Sequence, residues 1–190
     1  MSDFNESSKF FFQIYQTFLG KIRISATCDA VVGVNFQPNF QSDFGNVAET
    51  NLQLISPRSV CPKLICSKIF INQETVLIRE TFRQLTEYLE GERKNFNLPT
   101  DPQGTDFQKK VWSELKKIPY GEIRSYKQIA ESIGNPRACR AVGSANNKNP
   151  IAIIIPCHRV IGADERLVGY AGGLERKKFL LNLEKSASRI

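Results

Sequence analysis

An α+β protein in two parts, a small antiparallel sheet followed by a mostly helical second half, is predicted by three features of the 190-residue sequence. Apolar and polar residues alternate from Phe10 to Phe36, the period of half-buried strands. Beyond residue 105 the apolar residues recur instead at helical spacing. Between these stretches NLPTDPQG, at 97–104, has the composition of a linker and sets a domain boundary near Leu98, giving parts 1–98 and 99–190.

The alternating stretch reads FFFQIYQTF, KIRISAT and AVVGVNF, broken at Leu19-Gly20 and Cys28-Asp29. Breaks of that composition suit tight turns, so a three-stranded antiparallel meander is expected. Residues 37–73 contain Pro38, Gly45, Pro57 and Pro62 and predict only a short strand near Ile65 to Ile71. Ile78, Phe82, Leu85 and Leu89 then share one helical face, with Gly91 as the stop.

The second half opens on Thr105-x-x-Gln108, a capping box, with Val111, Trp112, Leu115 and Ile118 behind it at helical spacing and Pro119-Tyr120-Gly121 as the terminator. Ser125-x-x-Gln128 repeats the signature for a short helix through Ile133, stopped by Gly134. Asn135 as cap and Pro136 at the first helical position predict the next helix, carrying Arg137, Arg140, Ala141, Val142 and Ala145. Two short helices joined by a three-residue Gly-containing turn form a helix-turn-helix layout. The second presents arginines among Ala, Gly and Ser, small enough for a backbone to approach a nucleic acid groove.

Hydrophobic residues at 41% and charged residues at 24% fit a globular chain and exclude a disordered tail. The apolar run Ile151 to Ile155 falls far short of the ~20 residues that cross a bilayer. The beginning, MSDFNESSKFFF, carries acids and no basic segment ahead of its apolar stretch, so a secretory signal is not expected. The expected location is the cytoplasm, or the nucleus in a eukaryote, with no membrane partner. Cysteines at 28, 61, 66, 139 and 157 leave at least one thiol free, and the single histidine, His158, excludes a Cys2His2 finger; no metal is expected.

Charge is distributed unevenly. Lys and Arg balance Asp and Glu in residues 1–100, so the formal net charge of +7 lies wholly in 101–190. A basic half attracts polyanions, with nucleic acid as the candidate partner.

Chemistry concentrates in Asn149-Pro150-Ile151-Ala152-Ile153-Ile154-Ile155-Pro156-Cys157-His158-Arg159-Val160. The β-branched run reads as a buried strand that Pro156 ends, which would place Cys157 at a strand mouth. At its reference pKa of ~8.5 only about 3% of a thiol is ionised at pH 7. A nucleophilic Cys157 therefore needs help, and His158 and Arg159 are the nearest means in sequence. An inert core thiol, a cysteine hydrolase with a Cys-His pair, and a helix-turn-helix regulator without chemistry compete with a nucleophile reading.

Five motifs carry a resemblance: Arg140-Ala141-Val142-Gly143, Asn149-Pro150, Pro156-Cys157-His158-Arg159-Val160, Gly169-Tyr170-Ala171-Gly172-Gly173, and Leu180-Leu181 with Glu184. Together they resemble the methylated-DNA-protein-cysteine methyltransferases, or O6-alkylguanine-DNA alkyltransferases. The resemblance implies a ribonuclease H-like first domain and a winged-helix-like second domain. It implies that Cys157 accepts the alkyl group of O6-alkylguanine, and of O4-alkylthymine, in one irreversible displacement without a cofactor. Glu184 would orient His158, which would take the thiol proton through water. A noncatalytic lesion-binding relative is the other possibility within the family, and such relatives lack the acceptor cysteine.

The same resemblance implies a monomer acting on double-stranded DNA from the minor groove, with the target base flipped out. Tyr126 would press on the target phosphate and hydrogen-bond the guanine ring, and Arg140 would fill the gap in the duplex. Lys127, Asn135 and Arg137 would add DNA contacts. Asn149 would lock the turn ahead of Cys157, backbone groups at Cys157 and Val160 would receive the guanine amine, and the Ala171 N-H would face O6. Many relatives carry serine at that position. Tyr170 would wall the pocket, while Gly172 and Ala152 stand where some relatives carry tryptophan and proline, implying tolerance of larger alkyl groups such as benzyl.

Overall fold

The computed structural model describes residues 9–37, 69–162 and 169–187. Three strands, β1 (Lys9–Thr17), β2 (Gly20–Ala26) and β3 (Val31–Phe36), form the expected meander, turning at Gly20 with φ +105° and again at residues 27–30. β4 (Ile69–Asn72) joins the outer side of β1 in parallel, so the sheet order is β3-β2-β1-β4 and the sheet is mixed rather than antiparallel. A parallel neighbour cannot be reached by a hairpin and needs a long connection, which the alternation of the first strands does not encode. Ile65, Cys61 and Cys66 lie outside the described residues.

Helix α1 (Val76–Leu89) starts where the Thr75 hydroxyl accepts the Ile78 N-H at 3.2 Å, and it lays Ile78, Leu85, Tyr88 and Leu89 on the sheet. Truncating a fully buried side chain such as Ile78 to alanine costs about 2–5 kcal/mol. Residues 99–101 do not drift as a free linker: Val31 donates to the Pro99 carbonyl and Asp101 to the Val31 carbonyl, both at 2.9 Å. They extend the edge of β3.

Both capping boxes form, at α2 (Asp106–Lys116) and α3 (Tyr126–Ser132), each satisfying two otherwise orphaned N-H groups. Gly134, at φ +75°, turns the chain after α3. The next helix, α4 (Cys139–Asn147), departs from expectation: its cap is Ala138, without a side-chain bond, and Arg137 precedes the helix. Asn135 instead closes a turn, its carbonyl accepting from Ala138 N at 2.9 Å while its own N-H returns to Ala130. The Asn-Pro signal was spent on that turn, and the connection is longer than three residues.

The small side chains of α4 also serve the interior. Ala145 is buried, and its carbonyl accepts the Trp112 indole N-H at 2.9 Å. A two-stranded parallel pair, β5 (Arg124–Ser125) with β6 (Val160–Ile161), ties the start of α3 to the segment after Cys157. Helix α5 (Leu174–Ala187) buries Lys177, Leu180, Leu181 and Glu184, the i, i+3, i+4, i+7 face. One core runs through both halves, from Ile22, Ile24 and Val34 to Trp112, Val142 and Val160. Among the described residues no helix is long and apolar enough to cross a membrane.

Candidate active site

The run Ile151 to Ile155 is buried for most of its length but is not a strand. Ile151 bridges Val34 of β3, the chain then reverses through Ile153 at φ +71°, and Ala152 pairs with Ile155. β-Branching and burial favour a strand, but Asn149 supplies side-chain bonds that hold a loop instead. Its Oδ1 accepts from Ile151 N at 3.0 Å and its Nδ2 donates to the Ile155 carbonyl at 2.8 Å. A left-handed β-branched residue costs on the order of 1–2 kcal/mol, strain stored four positions before Cys157.

Cys157 therefore begins a short 3₁₀ turn, Cys157–Arg159, rather than ending a strand. With three residues per turn, adjacent side chains there are not opposed as they would be on a strand. The thiol is 5% exposed, and Asn149 Nδ2 also points at its Sγ at 3.1 Å. Burial pushes the Cys157 thiol up, while the Asn149 amide, the Lys177 ammonium and the N-H groups of Cys157 and His158 offset part of that. The expected contribution of Arg159 is not among them: its guanidinium turns away to Glu184.

Glu184 is the hub of a buried polar cluster. It accepts from His158 Nε2 at 3.0 Å, from Arg159 Nη2 at 2.8 Å, from Gly121 N at 3.0 Å, and from the Tyr88 hydroxyl. Burial opposes its ionisation, but hydrogen bonds from His158 and Arg159 outweigh that, and the carboxyl lies at about 2. Burial lowers the His158 pKa, against the pull of Glu184. A neutral imidazole beside an ionised carboxylate carries its proton on Nε2, so Nδ1 is the free acceptor. Nδ1 is buried and has no hydrogen-bond partner among the described residues.

A cavity of about 60 Å³ opens beside Cys157, lined among others by Asn146, Asn149, Ala152, Tyr170, Ala171 and Gly172. Asn146 Oδ1 and Tyr170 Oη are likewise buried without a partner among the described residues. Buried polar atoms left open in a pocket wall are what a polar ligand satisfies. A larger, open depression of about 480 Å³ beside Phe18 and Phe179 holds no nucleophile.

Other expected site residues divide by exposure. Tyr126 is the first residue of α3, half-buried against Gly143, and burial followed by the Cys157 charge raises its pKa. Val160 is buried, and its carbonyl already accepts from Lys177 Nζ at 2.6 Å; the Cys157 carbonyl accepts from Asn146 Nδ2 at 3.3 Å. Burial raises Tyr170 as well, and Ala171 stands exposed in the turn ahead of α5. Lys127, Asn135, Arg137 and Arg140 are exposed on and between α3 and α4, away from the cavity lining. Lys127 pairs loosely with Glu131 at 3.9 Å.

Two participants escaped sequence reasoning. Tyr88 sits on the inner face of α1, and only its hydroxyl, which periodicity cannot see, links it to Glu184. Lys177 is fully buried, and burial lowers its pKa to about 8 against the opposing charge of Cys157. Its position seven residues before Glu184 on one helical face was a usable signal.

Comparison with known proteins identifies the family. Residues 106–186 match the family model described as 6-O-methylguanine DNA methyltransferase, DNA binding domain, and residues 10–102 match that family's ribonuclease-like domain. The chain belongs to the 6-O-methylguanine DNA methyltransferase family. Within this family, the methylated-DNA–protein-cysteine methyltransferase of Methanosarcina acetivorans is 63% identical over 108 residues, 57% of this chain and 69% of the relative. The constitutive Bacillus subtilis protein of that name is 54% identical over 115 residues, 60% of this chain and 70% of the relative. Among solved structures, Mycobacterium tuberculosis OGT in complex with DNA matches with a TM-score of 0.74 at 36% identity, covering 93% of this chain and 94% of that one. A ribonuclease-like domain with a small mixed sheet followed by a helical DNA-binding domain is thus the architecture of this family member.

Proposed function

We propose that this methyltransferase repairs alkylated DNA by moving the alkyl group of O6-alkylguanine, and of O4-alkylthymine, onto Cys157 in a single irreversible transfer. The observation that carries the reading is one arrangement: a buried thiol held by Asn149, next to a neutral His158 anchored on ionised Glu184. The Cys157 proton passes through a water to His158 Nδ1, and Glu184 stabilises the imidazolium that results. The thiolate forms the S–C bond as the C–O bond breaks, and the electron pair leaves with the guanine. Tyr126, whose pKa burial raises, keeps its phenol proton and donates a hydrogen bond to a ring nitrogen of the departing purine, and the proton held by His158 returns through solvent to neutralise that purine. No cofactor is required, since nucleophile and leaving group account for every electron.

A thiol in a closed pocket cannot reach O6 of a stacked base, so the nucleotide is flipped out at a cost of a few kcal/mol. Arg140 enters the duplex from the minor groove to fill the space, while Lys127, Asn135 and Arg137 contact the backbone. The guanine amine meets the Cys157 and Val160 carbonyls, of which the first already accepts from Asn146 Nδ2 and the Val160 N-H and the second from Lys177 Nζ. The backbone N-H of Ala171 faces O6, and Tyr170 and Ala152 line the alkyl side. The DNA domain begins near residue 99, and the protein acts as a cytoplasmic monomer.

Intact mass after mixing with one equivalent of O6-methylguanine duplex tests the reading. The expected result is one added methyl per chain in wild type and none in Cys157→Ala, which still binds DNA. An unmodified wild type overturns it. A cysteine hydrolase would instead turn over under substrate excess.

A further inference from the structure

The space beside Gly172 is already filled. A Cβ placed there would lie 2.7 Å from Cε1 of Tyr170 and 2.9 Å from Cδ2 of Phe36. Phe36 is the last residue of β3, in the ribonuclease-like domain, yet it lines the Cys157 cavity together with Asn35, Ala152 and Ala171.

Its position is tightly determined. Val34 donates to the Pro150 carbonyl at 2.8 Å and accepts from Ala152 N at 2.9 Å, pinning the end of β3 to the segment that leads to Cys157. The Arg176 guanidinium lies 4.7 Å from the centre of the Phe36 ring. Arg176 also donates to the Gly172 carbonyl at 2.6 Å and to the Leu19 carbonyl at 2.7 Å, joining the β1–β2 turn to the pocket loop. The ring is thereby set between Gly172 and Arg176, with a guanidinium strap restraining it.

We infer that Phe36 is a specificity-determining wall of the alkyl pocket, contributed by the first domain, and that it limits the size of the group delivered to Cys157. This rests on the reading that Cys157 is the alkyl acceptor. Gly172 and Ala152 are among the smallest side chains available, so neither restricts the cavity by itself. Phe36 supplies from outside the loop the bulk that a large residue at position 172 would supply from within it. Close packing makes such a wall selective, because an interior that is filled resists added methylenes.

The test is competition. Wild type, Phe36→Ala, Phe36→Leu and Phe36→Trp are each offered equal amounts of duplexes carrying O6-methylguanine and O6-benzylguanine, and intact mass counts methylated against benzylated chains. Phe36→Ala raises the benzyl-to-methyl ratio roughly tenfold or more, and Phe36→Leu raises it less. Phe36→Trp lowers it. A ratio unchanged across the variants overturns the wall while leaving alkyl transfer intact, whereas a wild type that takes neither group overturns the underlying reading. Should Phe36→Ala fail to fold, the leucine and tryptophan variants decide.

Discussion

Asn149 turns one amide nitrogen towards the Ile155 carbonyl at 2.8 Å, Cys157 Sγ at 3.1 Å and, more weakly, the Ile151 carbonyl at 3.4 Å. The group that shapes the reactive loop is thus also the group that favours the thiolate. Removing it separates those effects by pH.

Asn149→Ala raises the Cys157 pKa, because a bond to the charged form is lost while burial persists. Transfer from O6-benzylguanine at pH 7 falls by about 5- to 100-fold, the equivalent of about 1–3 kcal/mol. Much of the loss is recovered at alkaline pH. Stopped-flow rates against pH check this; a drop of equal size at every pH would assign Asn149 to loop shape alone.

Acid weakens the fold in two stages. His158 has a folded pKa below its ordinary 6.5, so the unfolded chain binds the extra proton first and stability declines as pH falls below that value. Glu184 is lowered from 4.5 to about 2, so its contribution is full above 4.5 and is lost as pH falls towards 2. Urea midpoints from pH 8 to 3 should show both stages. Glu184→Gln should show a smaller second stage, the lowered Glu74 and Glu80 remaining, and it should be destabilised by about 3–5 kcal/mol at pH 7 because Arg159 is left buried without its anion.

Tyr88→Phe removes one hydroxyl from the Glu184 cluster without changing ring packing. The expected cost is about 1–3 kcal/mol in chemical denaturation. His158 keeps its bond to Glu184, so alkyl transfer slows far less than in Asn149→Ala. Comparable losses of rate would make Tyr88 a positioning residue for His158.

Arg140→Ala slows transfer from duplex DNA but leaves free O6-benzylguanine almost unaffected, since only the duplex demands a flipped base. Parallel kinetics on both substrates check it. Equal losses would remove Arg140 from the flipping step.

Legibility followed the kind of signal. Capping boxes at Thr105 and Ser125 and the alternation from Phe10 to Phe36 were readable because each is encoded within a few residues. The motif Pro156 to Val160 located the reactive loop, but its shape was misread: β-branching and burial describe Ile151 to Ile155 equally well as strand or as loop. What distinguishes them is a side chain outside the run, Asn149. Asn135 misled in the same manner, since a cap and a turn use one residue type. Phe36, Tyr88 and the parallel strand β4 depend on contacts between distant segments and left no local trace, whereas Lys177 was visible on the Glu184 face and went unread.

The backbone exchange between Val34 and the Pro150–Ala152 segment has a last consequence. Cutting the chain near residue 99 to isolate the DNA domain would bare the Pro150 carbonyl and the Ala152 amide, two backbone groups directly upstream of the nucleophile. The sulfur of such a fragment would sit in a loop that has lost its template.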